Sequence, residues 1–331
     1  MIYENIDIHG CAQLEKLENG ANATVRVPQY VYDVFRESAK TQAKSCTGIE
    51  FRFVLEEESA TLKFRYDDSS RGKITVFYGD FVADWPETTK RLEGECEAVI
   101  KKSDNIEILR SLAKQHGHRF SPDVVRLVFE GVRPHIVSVE GKISPPPAKM
   151  CPTKKYLAYG SSITHGSISL HPYYYYVERV AANLKADVTN YGLAGSARLE
   201  KEMADFIADE CEFDFATLEM GINILDIEPE DYEQRVRYFV SRVAKAHPES
   251  KIFAIDVYYC YSDIVGDGKA ERFRKILQRV VCELSLPNVV YVNGKSVLSD
   301  GSKLAAGLVH PNPDGVKEIA KNLTRIIKDN L

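Results

Sequence analysis

The sequence predicts two folds of different class in succession: an antiparallel β-sandwich of jelly-roll type, then a three-layer α/β/α sandwich on a five-stranded parallel sheet. Three observations predict it. From about residue 23 to 140, apolar and polar residues alternate with period two, the signature of half-buried strands. The proline-rich stretch Gly141 to Pro152 then interrupts every regular pattern. Beyond it, short apolar runs alternate with segments of helical spacing, as right-handed βαβ crossovers over a parallel sheet require.

Taken in order, the first strands are carried by Ile49, Phe51, Phe53 and Leu55, alternating with Glu50, Arg52 and Val54. Leu62, Phe64 and Tyr66 follow, then Ile74, Val76 and Tyr78, then Val125, Leu127 and Phe129, then Val137 and Val139. Turn residues Asp67 to Gly72 separate two of them, and Ile106 to Lys114 reads as a short helix inside the sandwich. The division this implies is 1–143 for the sandwich, 144–154 for a stiff linker and 155–331 for the α/β domain. In the latter, the runs Lys155 to Tyr159, Asp187 to Tyr191, Phe215 to Met220, Lys251 to Tyr258 and Val289 to Asn293 read as strands. Tyr232, Val236, Phe239, Val240 and Val243 form one helical stripe; Val316, Ile319, Ala320, Leu323, Ile326 and Ile327 form another.

Composition narrows the function classes. With 44% hydrophobic and 27% charged residues in 331, the chain has material for packed cores and no disorder signature. A net charge of -5 with no basic cluster argues against nucleic acid as a partner. No apolar stretch approaches the ~20 residues of a spanning helix, so no membrane partner is expected. Met1 to Asp7 lacks the charged and apolar regions of a secretory signal. The seven cysteines are odd in number, scattered and without C-x-x-C pairs, against both a disulfide framework and a zinc site. A reduced, cytoplasmic protein is expected, with no metal and no cofactor; a homo-oligomer is left open. His116-Gly117-His118 reads as a loop rather than a metal site. There is no Gly-x-x-x-x-Gly-Lys and no Gly-x-Gly-x-x-Gly for a nucleotide.

The chemistry is concentrated at strand ends. Tyr156 to Thr164 is an apolar run that stops at Gly160 and presents Ser161 and Ser162, where a turn lifts a hydroxyl off the sheet edge as a nucleophile requires. Gly192 and Gly195 follow the second run, Gly221-Ile222-Asn223 follows the third, and His310-Pro311-Asn312 precedes the last helical segment. In open parallel sheets, ligands bind beyond the carboxyl ends of the strands, so Ser162, Gly195 and Asn223 share one rim. A plain reading stands beside this one: Ser161 or Ser162, Asn223 and Asn312 are good helix caps, and Gly195 a good turn residue.

The ordered set of Ser162 in Gly-Ser-Ser-Ile-Thr, Gly195, Asn223 in Gly-x-Asn and His310 resembles the SGNH hydrolase superfamily, the GDSL-type esterases and acyltransferases. The resemblance covers about Lys155 to Leu331. It implies the same three-layer fold, Ser162 as nucleophile, His310 as base, and an oxyanion hole made by the N–H groups of Ser162 and Gly195 with the Asn223 amide. Two positions depart from it. The family's usual Asp before the nucleophile is Ser161, and its Asp-x-x-His reads Gly307-Leu308-Val309-His310, with no carboxylate. The histidine's partner is then Asp300, in the loop between Val297 and His310, or a backbone carbonyl; Asp314 is already explained by the helix dipole. His165 is a rival base by proximity alone. Among Tyr173 to Tyr176 at least half are core, and Trp85 is a core residue or a sugar-stacking platform. The expectation is a carboxylic ester hydrolase for small acyl groups such as acetyl, on a small-molecule or carbohydrate ester. An acyltransferase with the same residues, or a carbohydrate-binding protein with a decayed catalytic domain, are the alternatives.

Overall fold

The computed structural model describes residues 1–67, 69–84 and 89–331, with Thr89 described by its backbone only. The chain forms two compact units. Residues 1–29 and 43–153 make one, and residues 30–42 and 154–331 the other.

The first unit holds two antiparallel sheets. One runs Ile2–Tyr3, Ile6–His9, Glu50–Leu55, Val124–Glu130, Gly72–Tyr78, Phe81–Val82, and the other Glu95–Lys101, Ser59–Arg65, His135–Glu140, Asn22–Val25, Gln13–Lys16. Phe51, Phe53, Leu62, Phe64, Leu127, Phe129 and Ile136 from both sheets share one core. The strands before Asn22 are absent from the period-two reading, although Ile6–His9 alternates, with Ile6 and Ile8 buried. Glu50 and Arg52, which alternation assigns to the polar face, are buried, as is Arg126. Burial is tolerated because Glu50 accepts from Arg52 Nε at 2.7 Å and Arg126 Nε at 2.9 Å, and both guanidiniums lie over the Phe120 ring. The short helix is present as Ile106–His116, closed by Gly117 at φ 61°. Of the proline-rich linker, Ile143–Ser144 pairs with Leu55 and Val54, and Ala148–Met150 is a 3₁₀ turn, so the first unit extends to Thr153.

The second unit carries a parallel sheet of five strands: Lys154–Gly160, Ala186–Gly192, Phe215–Glu219, Lys251–Ile255 and Val289–Val292. Their spatial order is second, first, third, fourth, fifth, all parallel. The helices Tyr176–Leu184 and Pro313–Lys328 pack together, burying Val177, Val180, Ile319 and Leu323 with Tyr156 and Ala158 of the first strand. Alternate residues of that strand meet the other helices, with the Tyr159 ring 4.7 Å from Phe239 of the helix Pro229–Ala246. Lys201–Glu210, Pro229–Ala246 and Lys269–Leu284 follow one another along that layer. Three strands end at Gly160, Gly192 and Glu219 on one edge, so whatever the following loops carry is gathered there. Among the described residues no helix is long and apolar enough to cross a membrane.

Candidate active site

The turn after the first strand is built around a close approach. A Cβ on Gly160 would lie 2.3 Å from Thr164 Oγ1 and 2.6 Å from Glu219 Oε2, so only glycine passes. Ser161 then takes an extended conformation and caps the helix Ser162–His165, its Oγ accepting from the Ile163 N–H at 3.1 Å. Ser162 therefore occupies the first helical position, where the N–H has no carbonyl upstream to meet. Gly166, at φ 94°, closes the turn.

Behind it sits Glu219, 1% exposed at the end of the third strand. Its carboxylate accepts from the Ser161 N–H at 2.6 Å, from Thr164 Oγ1 at 3.2 Å and from the Ser161 hydroxyl. Burial pushes its carboxyl above the ordinary value against those hydrogen bonds. Thr164 Oγ1 also lies 2.8 Å from the Tyr176 hydroxyl, while Asn190 donates to Thr164 O at 2.9 Å and accepts from Gly192 N–H. His165, the rival base, has Nδ1 3.0 Å from Gly192 O, tying the nucleophile turn to the second strand.

The histidine arrives on the loop 298–312. Asn312 caps the last helix by accepting from the N–H groups of Asp314 and Gly315, and its Nδ2 donates to Ser302 O at 2.9 Å. Ala305 N–H donates to His310 O at 2.8 Å, and Tyr261 N–H to Leu308 O at 2.7 Å. These backbone ties bring His310 Nε2 to 2.8 Å from Ser162 Oγ, the distance at which an imidazole can take a hydroxyl proton. Burial holds the His310 pKa below 6.5, with no charged group opposing it.

Asp300 is not where the triad acid belongs. Its carboxylate caps the turn Gly301–Lys303, accepting from Ser302 N–H at 2.7 Å and from the Ser302 hydroxyl, and those bonds lower its pKa on an exposed side chain. The physical reason is local: an Asp two residues before a serine satisfies the orphan N–H of its own turn before it can reach a remote ring. Among the described residues nothing hydrogen-bonds His310 Nδ1. Gly307 has open space around it.

The expected oxyanion donors converge on the same rim. Neither the Ser162 nor the Gly195 N–H has a partner among the described residues. Asn223 Oδ1 accepts from Ala197 N–H at 3.2 Å, and its backbone O accepts from Arg198 at 2.7 Å. That fixes the amide by its oxygen and leaves Nδ2 to donate elsewhere. Ser162, Gly195, Asn223 and His310 all line one cleft of about 720 Å³, walled further by Ile222, Leu225 and Val309 and by Asp226, Tyr261, Asp267 and Lys269. Tyr176 is buried, whereas Tyr173 and Tyr174 are exposed. His118 stacks on Phe81 at 4.4 Å, and Trp85 lies outside the described residues.

Sequence reasoning missed Glu219, Asn190 and the anchoring of Asn223. Glu219 had a signal: it is the one charged residue in the run Phe215 to Met220, and a carboxylate in a buried strand must have partners.

The model of the GDSL-like Lipase/Acylhydrolase family matches residues 153–328, more than half of the chain. No curated protein matches it. Among solved structures, a salicylyl-acyltransferase from a tetracycline biosynthetic pathway is 16% identical, with a TM-score of 0.78 over 98% of this chain and 94% of that one. A protein described as a GDSL-like lipase from Bacteroides ovatus is 17% identical, with a TM-score of 0.70 over 98% and 96%. An acetyl xylan esterase from the rumen bacterium Butyrivibrio proteoclasticus is 11% identical, with a TM-score of 0.59 over 99% and 96%. At these identities the likeness shows the fold.

Proposed function

The chain belongs to the GDSL-like Lipase/Acylhydrolase family, and on that premise we propose that it is a serine esterase hydrolysing carboxylic esters through an acyl-Ser162 intermediate, with small acyl groups such as acetyl carried on a carbohydrate. The observation that carries this reading is the 2.8 Å approach of His310 Nε2 to Ser162 Oγ beside unpartnered N–H donors. His310, kept neutral by burial, takes the Ser162 proton as Oγ bonds to the ester carbonyl carbon. The carbonyl oxygen becomes an oxyanion and meets the N–H groups of Ser162 and Gly195 and Asn223 Nδ2, donors that strengthen as charge develops. The C–O bond to the alcohol then breaks, and the imidazolium returns the proton to the leaving oxygen. Water, deprotonated by His310, attacks the acyl-Ser162 carbonyl and releases the acid and free Ser162 by the same steps. Among the described residues no carboxylate meets Nδ1, so the imidazolium is left without an ionised partner of its own and its charge is balanced by the neighbouring oxyanion that the hole holds.

Support for a carbohydrate alcohol comes from the acetyl xylan esterase among the similar structures and from Asp226, Asp267 and Lys269 on the cleft wall, which can exchange hydrogen bonds with hydroxyl groups. A second reading, acyl transfer to an alcohol, is favoured by the size of the cleft, which exceeds an acetyl group and leaves room for an acceptor, and by the likeness to a salicylyl-acyltransferase. A decayed, non-catalytic site is opposed by the intact Ser162 to His310 contact.

The test is turnover of p-nitrophenyl acetate together with a fluorophosphonate, whose adduct should map to Ser162. Ser162→Ala should lower turnover on the order of 10⁴-fold or more at unchanged melting temperature. An adduct on Ser161, or activity surviving in Ser162→Ala, sinks the assignment. Added alcohols that divert product from acid to ester select the transferase, and ligand binding without turnover selects the non-catalytic reading.

A further inference from the structure

Residues 30–42 lie far from the catalytic motifs in sequence, yet they belong to the unit that holds them. The segment carries two short helices, Gln29–Val34 and Glu37–Ala43; Val31 and Ala39 on them and Phe35 between them are buried. Arg36 joins the two. Its backbone O accepts from Ala39 and Lys40, so the residue is held by its neighbours while its side chain stays exposed. The guanidinium has one hydrogen-bond partner among the described residues: Nη2 donates to Gly195 O at 2.9 Å. Two residues on, Ser38 Oγ receives a hydrogen bond from Ser196 Oγ at 2.9 Å, and Tyr30 donates to Glu210.

The anchored residue matters. Gly195 sits at φ 66° with no atom within 4 Å of a would-be Cβ, so neither a side chain nor close packing restrains it. Other ties on this loop run from the Leu193 N–H to Gly160 O, the Ser196 N–H to Leu193 O and the Ala197 N–H to Asn223 Oδ1. They bracket Gly195 without touching its carbonyl. A glycine in open space can rotate its flanking peptides at little cost, and the N–H aimed at the oxyanion belongs to one of them. The Arg36 charge also acts on Glu200 and on Asp226, a wall residue of the cleft, so its field extends to the site.

We propose that Arg36 is a positioning residue for acyl transfer: by donating to Gly195 O it fixes the loop that aims the Gly195 N–H at the oxyanion. The inference rests on the catalytic reading above. It requires that Arg36 act on the transition state through the hole, not on substrate binding or on folding.

The experiment compares the full-length protein with Arg36→Met, Asn223→Ala and the double variant, using p-nitrophenyl acetate. Arg36→Met should lower kcat about tenfold, the loss expected for one hydrogen bond to a charged donor, with KM within about twofold. Its melting temperature should move by no more than about 1 °C, as befits an exposed side chain. In the Asn223→Ala background the same substitution should cost clearly less than tenfold, because both residues act on one hole. A kcat unchanged in Arg36→Met overturns the proposal, as does a loss confined to KM or one fully multiplicative with Asn223→Ala. If the unsubstituted protein neither turns over the ester nor takes up fluorophosphonate at Ser162, the catalytic reading falls and this inference with it. An active protein indifferent to Arg36→Met loses this inference alone.

Discussion

The nucleophile turn and the histidine loop deliver two groups to one point, and they are built in opposite ways. Around Ser162 the geometry is fixed many times over. Gly160 admits Glu219, Glu219 holds Ser161 and Thr164, Tyr176 reaches Thr164, and Asn190 and His165 bind the turn to the second strand. His310 is held differently. Its backbone is tied through Ala305 and the Asn312 cap, and among the described residues its ring has one hydrogen-bond partner, Ser162 itself. The side that must receive developing negative charge is rigid, since preorganised donors lose their advantage if they must reorient. A base at 2.8 Å can be set by its main chain and still take a proton, at the cost of a less stabilised imidazolium.

The largest expected effect on this contrast lies on the rigid side. Asn223→Ala removes a donor whose orientation is fixed by Ala197, so kcat should fall roughly 10²- to 10³-fold with little change in KM. A change confined to KM would turn Asn223 into a substrate-binding residue and leave the hole with backbone donors alone.

Next in size is the support behind the turn. Glu219→Ala leaves the buried Ser161 N–H and Thr164 hydroxyl short of an acceptor and lets Ser162 shift, which should cost roughly 10²-fold in kcat. Glu219→Gln should restore most of it, because an amide oxygen can still accept from Ser161 N–H and the serine and threonine hydroxyls can turn to accept from its NH₂. Stopped-flow acylation rates read the difference. Equal rates in Glu219→Ala and the unsubstituted protein would show that the turn is held without this carboxylate.

The same asymmetry governs what could be read from the sequence. The five parallel strands, the strand ends before Ser162, Gly195 and Asn223, and the Asn312-Pro313 cap behind His310 are legible, because the close approaches at Gly160, Gly192 and Gly221 select glycine and an orphan N–H selects a capping side chain. Glu50 and Arg52 misled, because period two describes exposure only when the second face is open to water, and here Arg126 and Phe120 cover it. The contribution of residues 30–42 to the second unit was illegible, since long-range docking leaves no local period. Asp300 stands in the sequence beside a backbone carbonyl as a candidate partner of His310, on its place in the loop between Val297 and His310 alone. Its own turn claimed it first.

The smallest expected effect is therefore the most diagnostic for the histidine loop. Asp300→Asn should leave kcat within about twofold, since an exposed carboxylate committed to Ser302 gives the ring nothing to lose. The pH dependence supplies the sign. A base must be unprotonated to act, and burial holds the His310 pKa below the ordinary value of about 6.5, so activity should persist to lower pH than for a solvated imidazole before its acid limb falls. An ionised carboxylate on Nδ1 would do the reverse, raising the pKa and moving that limb upward. If Asp300 reached the ring, Asp300→Asn would carry the acid limb of kcat/KM to lower pH and cut kcat by decades. Coincident limbs at a pH below that of free imidazole, with near-normal kcat, are the expected outcome. They would leave His310 positioned by its backbone and tuned by burial alone.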